Sequence, residues 1–284
     1  MTDSAPTITD NATAPTPDRS ANLTRASRRL VSLLRHKAVA ENLPIGSDGY
    51  VRVDDLLSRK LLGPTVTLAD VKSIVAADNK TRFKLDYRGP PISTDAAAHD
   101  DPQHWFVRAN QGHTMPHIQI ALREITDASE VAFAVHGTNA RALPSILRHG
   151  LSVAARQHIH LAQRLPDDTD VVSGMRSSSD VLIYIDLKHA LADGVDFYES
   201  DNGVVLTSGD NGVLHPRYFE KVLRVPDKQH SESKKFDISL FEPVEFEREV
   251  EIEPVPADLF DRNQKRRKQP RKPRPPKSDQ KTES

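Results

Sequence analysis

Arg82-Phe-Lys-Leu-Asp-Tyr87 and, after a loop, Trp105-Phe-Val-Arg-Ala109 decide the architecture of this 284-residue chain. The first stretch alternates, with Phe83, Leu85 and Tyr87 on one face of a strand and Arg82, Lys84 and Asp86 on the other. The second reads as its partner strand, across a loop of Gly, Pro, Asp and His that is long for a hairpin. What precedes them is helical. Residues 22–39 set Leu23, Leu30, Val31 and Leu34 at helical spacing, and Asp48-Gly49 then supplies a turn. Residues 50–53 alternate as a short strand, and Asp54-Asp55 opens a brief helical turn with Leu56 and Leu57. From Thr67 to Asn79, Leu68, Val71, Ile74 and Val75 share one face, with Thr67 as N-cap and Asp70 three residues on. Helices followed by a long-looped hairpin predict a winged-helix lobe over residues 22–115.

The chain changes character after Ile125. Strands are expected at 131–136, 157–161, 181–187, 195–198, 204–207 and 218–225, with one helix from Arg141 to His149 that tolerates Pro144 early and places Gly150 just past its end. Asn202-Gly203 is a strong turn signal. The fold class is therefore α+β: the winged-helix lobe, then a compact β-rich lobe over residues 116–226. Residues 1–21 read as a disordered leader. Residues 227–284 read as a disordered tail, acidic from Glu242 to Asp261 and basic from Arg262 to Lys277. The basic block suits RNA phosphates or nuclear import, and equally a solvated extension.

Composition excludes several chemistries. With no cysteine there is no disulfide, no thiolate zinc site and no cysteine nucleophile. The longest apolar runs, near 131–135 and 181–185, fall far short of the roughly 20 residues of a membrane-spanning helix. The amino-terminal stretch lacks an apolar core and carries Asp3 and Asp10, unlike a secretory or transit peptide, so a soluble nuclear or cytoplasmic protein is expected. The net charge of −1 conceals segregated blocks of opposite sign.

Four clusters combine cations with hydroxyl or amide groups: Leu34-Arg35-His36, Lys80-Thr81-Arg82-Phe83, Arg108-Ala-Asn-Gln-Gly-His-Thr114 and Ala155-Arg156-Gln-His-Ile-His160. Each could face a phosphate. On a strand Arg156, His158 and His160 would project together. Taken alone, Arg35-His36 reads more simply as a solvated helix end, where cations favour the dipole terminus. His158 with His160, and His113 with His117, present a metal-like pattern, but catalytic zinc normally takes three protein ligands and no carboxylate neighbours the His-x-His pair, so no metal is expected. His136-Gly137-Thr138 and Ser173-Gly174-Met175-Arg176 resemble ligand-cradling loops, with glycine for close backbone approach and hydroxyl or imidazole for ribose or amide contacts. The glycine patterns of Rossmann and P-loop sites and the Gly-x-Ser-x-Gly elbow are all absent.

In this order and spacing Leu-Leu-Arg-His, Asp-Gly-Tyr-Val, Lys-x-Arg-Phe, Arg-Ala-Asn-Gln-Gly-His, His-Gly-Thr, Arg-Gln-His-Ile-His-Leu and Ser-Gly-Met-Arg resemble the tRNA 2′-phosphotransferase family, over roughly residues 25–222. The resemblance implies that the second lobe is ADP-ribosyltransferase-like and that Arg35, His36, Arg82 and Arg156 form a catalytic tetrad. It further implies that His136, Gly137 and Thr138 hold the NAD riboside with Ser173, Gly174 and Arg176 nearby. Arg108, Gln111, His113, Thr114, His158 and His160 fall to the substrate phosphate and RNA. Thr114 stands where the family pattern has serine, and keeps a donor and an acceptor.

The implied reaction consumes NAD as co-substrate. An internal RNA 2′-phosphate, as at the splice junction of a ligated tRNA, displaces nicotinamide at C1″. The 2″-hydroxyl then takes the phosphate, leaving a 2′-hydroxyl RNA and ADP-ribose 1″,2″-cyclic phosphate. A monomer is expected. Two other readings use the same residues: a winged-helix nucleic-acid-binding protein without turnover, and a transferase that ADP-ribosylates terminal phosphates of nucleic acids.

Overall fold

The computed structural model describes residues 17–90, 98–166, 173–176, 178–226 and 236–249. The first half opens with α1 (Pro17–Ser32), whose last turn widens into a π-helical turn, Leu33–Lys37. The helix thus starts at Pro17, ahead of the expected boundary at residue 21, with a proline where no helical N–H is needed. Then follow β1 (Val51–Arg52), α2 (Val53–Ser58), α3 (Leu68–Ala76), β2 (Phe83–Tyr87) and β3 (Trp105–Ala109). Strand β1 stops at Arg52, one residue short of the expected strand, because Val53 already belongs to α2. The expected capping box is present: Thr67 Oγ1 accepts from the Asp70 amide at 3.3 Å, and Asp70 accepts from the Thr67 amide at 2.9 Å.

These strands form an antiparallel sheet of order β1-β3-β2, with Phe83 opposite Ala109 and Tyr87 opposite Trp105. Its inner face closes a core of Leu30, Leu34, Val51, Leu56, Val71, Phe83 and Val107. Part of the 89–104 insert folds back onto the hairpin, where Trp105 Nε1 donates to the His99 carbonyl at 2.8 Å.

The second half comprises β4 (Arg123–Ile125), β5 (Ala134–Thr138), α4 (Leu143–His149), β6 (Leu151–Ser152), β7 (Ile159–Ala162), β8 (Val181–Ile185), α5 (Leu187–Ala192), β9 (Phe197–Glu199), β10 (Val204–Thr207), β11 (Val213–Leu214), β12 (Phe219–Arg224) and β13 (Glu242–Pro243). Eight of these strands form one sheet of order β13-β12-β8-β5-β7-β10-β9-β4. Its centre is buried on both faces. Val181, Ile183 and Ile185 point toward α4 and α5, while Leu182 and Tyr184 point toward Phe133, Phe236 and Phe241. This is why residues 181–185 read as an unbroken apolar run rather than an alternating one.

Three expectations are corrected here. Strand β7 begins at Ile159, so Arg156 and His158 lie in the bends before it and do not share a strand face with His160. Residues 131–133 precede β5, which instead runs through His136 to Thr138. Part of the expected tail is ordered: β13 pairs with β12, the Val244 amide donates to the Val222 carbonyl at 2.9 Å, and Phe236 and Phe241 cover the second sheet face. The leader's residues 1–16 and the basic block fall outside the described residues. No helix among the described residues is long and apolar enough to cross a membrane.

Candidate functional site

The two halves meet through side chains on backbone. Lys80 Nζ donates to the Met175 carbonyl at 3.0 Å, while Ser173 Oγ and Asn202 Nδ2 donate to the Lys80 carbonyl at 2.7 and 3.1 Å. Gln157 Nε2 reaches the carbonyls of Met115 and Ile118 at 3.0 and 2.9 Å. Between them opens a cavity of about 780 Å³, within the roughly 300–1,000 Å³ of small-molecule sites.

Arg35, Lys80 and Arg82 line this cavity from the first half, and Arg156 and Arg176 from the second; among the described residues no carboxylate lines it. The widened turn at the end of α1 sets Arg35 inward. It is only 9% exposed, which overturns the reading of a solvated helix end, and its Nε and Nη2 are buried without a partner. Burial first, then the charges of Arg156 and Arg82, lowers its pKa to about 10, partly offset by Asp78. A guanidinium rarely approaches loss of its proton, so the pocket is strongly electropositive. Gly112, at φ +85°, passes beside it: a Cβ there would stand 3.3 Å from Arg35 Cζ.

Arg82 is aimed by Asp78, whose carboxylate accepts from both its Nη1 and its backbone amide. Asp78 side-chain atoms are nearly inaccessible. Sequence reading missed this residue; an acidic group four before Arg82 is a faint signal until the intervening turn, with Thr81 at φ +45°, is known. His36 lies beside the cavity, its Nδ1 3.1 Å from the Oγ1 of cavity-lining Thr114. Thr114 Oγ1 itself donates to the Arg35 carbonyl at 3.3 Å, so the His36 Nδ1–H donates to Thr114.

On the other wall, His136, Gly137, Thr138, Ser173 and Gly174 all line the cavity, as do Gln111, His158 and His160. His136 Nδ1 donates to the His160 carbonyl at 3.1 Å. Burial lowers the pKa of His136, His158 and His160, so these rings stay neutral, and His160 Nε2 is buried without a partner. Gly137 serves a different purpose from the one expected. Met175 and Ser179 occupy the space a Cβ would need, 2.1 Å from Met175 Cγ, so the missing side chain admits another part of the chain.

Two candidates are placed elsewhere. Arg108, 5% exposed, pairs with Asp201 at 2.7 Å and joins β3 to the turn between β9 and β10. His113 is 2% exposed, with its pKa lowered to about 4 by burial and then by Arg35 and Arg108, and it does not line the cavity. No group of three or more His, Asp or Glu side chains among the described residues is arranged to hold a metal.

Comparison with known proteins adds the family. A model described as RNA 2′-phosphotransferase, Tpt1/KptA family, matches residues 21–209. The chain is 40% identical over 204 residues to tRNA 2′-phosphotransferase 1 of Danio rerio, covering 71% of this chain and 85% of that protein. It is 37% identical to tRNA 2′-phosphotransferase 1 of Homo sapiens, covering 75% and 80%. To a probable RNA 2′-phosphotransferase of Acaryochloris marina it is 30% identical, covering 65% and 91%. The matched region spans both halves and the cavity between them, and the chain belongs to the RNA 2′-phosphotransferase family of transferases.

Proposed function

We propose that this chain moves an internal RNA 2′-phosphate, as left in a ligated tRNA, onto the ADP-ribose part of NAD, giving 2′-hydroxyl RNA, ADP-ribose 1″,2″-cyclic phosphate and nicotinamide. The observation that carries the reading is the inter-half cavity, with Arg35, Lys80, Arg82 and Arg156 on its walls and no carboxylate among its described lining residues. Such a site is built for several phosphates at once. Its volume suits a dinucleotide; the unpartnered Arg35 nitrogens await hydrogen-bond acceptors, and His160 Nε2 is open to a partner. In this reading the first half is a winged-helix RNA lobe (22–115) and the second an ADP-ribosyltransferase-like NAD lobe (116–226).

NAD supplies the acceptor and, in nicotinamide, the leaving group. The chain's own residues supply aim and charge. A 2′-phosphate is already nucleophilic at neutral pH, so positioning dominates the first displacement. Arg35, Arg82 and Arg156 hold the reacting phosphate, and their planar forks suit phosphoryl oxygens as charge builds during its transfer. His36, held beside the cavity by its bond to Thr114, contacts the reacting phosphate or the hydroxyl that attacks it. His136, Thr138 and Ser173 offer ribose and amide contacts.

The test is product analysis with NAD and an RNA bearing one internal 2′-phosphate. Nicotinamide, 2′-hydroxyl RNA and the cyclic phosphate are expected together. Release of none of them would leave a nucleic-acid-binding protein without turnover. Nicotinamide release with a lasting RNA adduct would indicate ADP-ribosylation of nucleic-acid phosphates instead. In Arg82→Ala or Arg156→Ala, 2′-hydroxyl RNA should appear roughly a hundredfold to a thousandfold more slowly.

A further inference from the structure

We propose that the solvent face of α1 is the track for the RNA strand flanking the reacting phosphate, held through its backbone phosphates by Arg25, Arg28 and Arg29. The inference rests on the RNA substrate proposed above and assigns it a path outside the cavity. At 3.6 residues per turn, positions 25, 28 and 29 share one exposed helix face with half-buried Ser32, roughly opposite buried Leu30 and Leu34. Arg25, Arg28 and Arg29 are exposed, and no described carboxylate pairs with them. Several other surface cations of this half are already paired: Arg19 with Asp70, Arg52 with Asp55, Lys84 with Asp201 and Arg88 with Asp48.

The stripe also leads somewhere. One turn past Ser32, the widened end of the helix carries Arg35 into the cavity and His36 to cavity-lining Thr114. From Arg25 to Arg35 the helix advances about 15 Å, enough for an extended strand leaving the cavity to meet more than one arginine. Guanidinium forks on successive turns match phosphate oxygens, and contacts of this kind set register without reading bases. Such a track would accept any flanking sequence.

The full-length chain is compared with its Arg25→Gln/Arg28→Gln/Arg29→Gln variant and the corresponding triple Lys variant. The probe is a fluorescent single-stranded RNA of a dozen nucleotides carrying one central 2′-phosphate, titrated by anisotropy at several salt concentrations. Three phosphate contacts to a single strand contribute a log–log salt slope of about −2, so a fourfold rise in salt should weaken the wild type roughly 20-fold more than the Gln variant. The Lys variant should retain most of that slope. All three proteins should melt at the same temperature, since the exchanged side chains are exposed. Equal affinity and equal slope for wild type and Gln variant would overturn the track. If the wild type released no nicotinamide, the proposed activity would fail, yet the binding comparison would still decide the track.

Discussion

At Arg35 a guanidinium lies 9% exposed, with Nε and Nη2 unpartnered and the charges of Arg82 and Arg156 nearby. Without an anion this arrangement costs stability, because burial of an unpaired charge is unfavourable and like charges repel. Arg35→Met keeps much of the volume and removes the charge. Its unliganded melting temperature should rise, by an amount equivalent to about 1–4 kcal/mol, while turnover falls roughly a hundredfold to a thousandfold. Thermal denaturation beside a nicotinamide-release assay checks both; a variant less stable than wild type would sink the account. The sequence showed Arg35-His36 as cations near a helix end. It did not show burial, because that depends on the widened turn and on Gly112 passing beside the side chain.

Among the elements, α3 was the most legible: an apolar face, a threonine cap and an aspartate three residues on are all local, and local preferences survive into the fold. Thr67→Ala removes the acceptor for the Asp70 amide and the hydroxyl that donates to Asp70 at 2.8 Å. Asp70 also receives Arg19 of α1 at 3.2 Å. The loss should be about 1 kcal/mol, within the usual range of roughly 0.5–2 for a cap, read as a lower midpoint in urea. Turnover at low temperature should be unchanged, since the cap lies away from the cavity. The segment around His158 was less legible. Arg156, His158 and His160 alternate as a strand would, yet β7 starts only at Ile159, where pairing with Leu206 and Thr207 of β10 begins. Alternation describes one segment, whereas a strand needs a partner at the right register.

At the scale of the whole molecule, Asp201 joins the halves by receiving Lys84 at 2.9 Å and Arg108 at 2.7 Å. Asp201→Ala leaves Arg108 buried without its carboxylate. Because Asp201 is itself partly exposed, the expected destabilisation is about 1–3 kcal/mol, read by chemical denaturation, with a higher KM for NAD, the proposed co-substrate, as the cavity walls loosen. An unchanged midpoint would show that this joint contributes nothing. The buried histidines set an acid limit. His113 has a folded pKa of about 4 against an ordinary 6.5, and His136, His158 and His160 are lowered too. Between those pH values the unfolded chain binds protons that the folded chain refuses, so stability should fall as pH drops from 6.5 toward 4. His113→Gln should make that fall shallower in a melting series. The sequence by itself determined the α+β class, the principal helices, the β2–β3 hairpin, the Asn202-Gly203 turn and the family motifs, because periodicity, caps, turn chemistry and residue order act or are read locally. Only the tertiary structure decided which cations converge. Arg35, Arg82 and Arg156 lie far apart in sequence and become neighbours through the packing of the two halves, while Arg108 is consumed in joining those halves and His113 is buried outside the cavity.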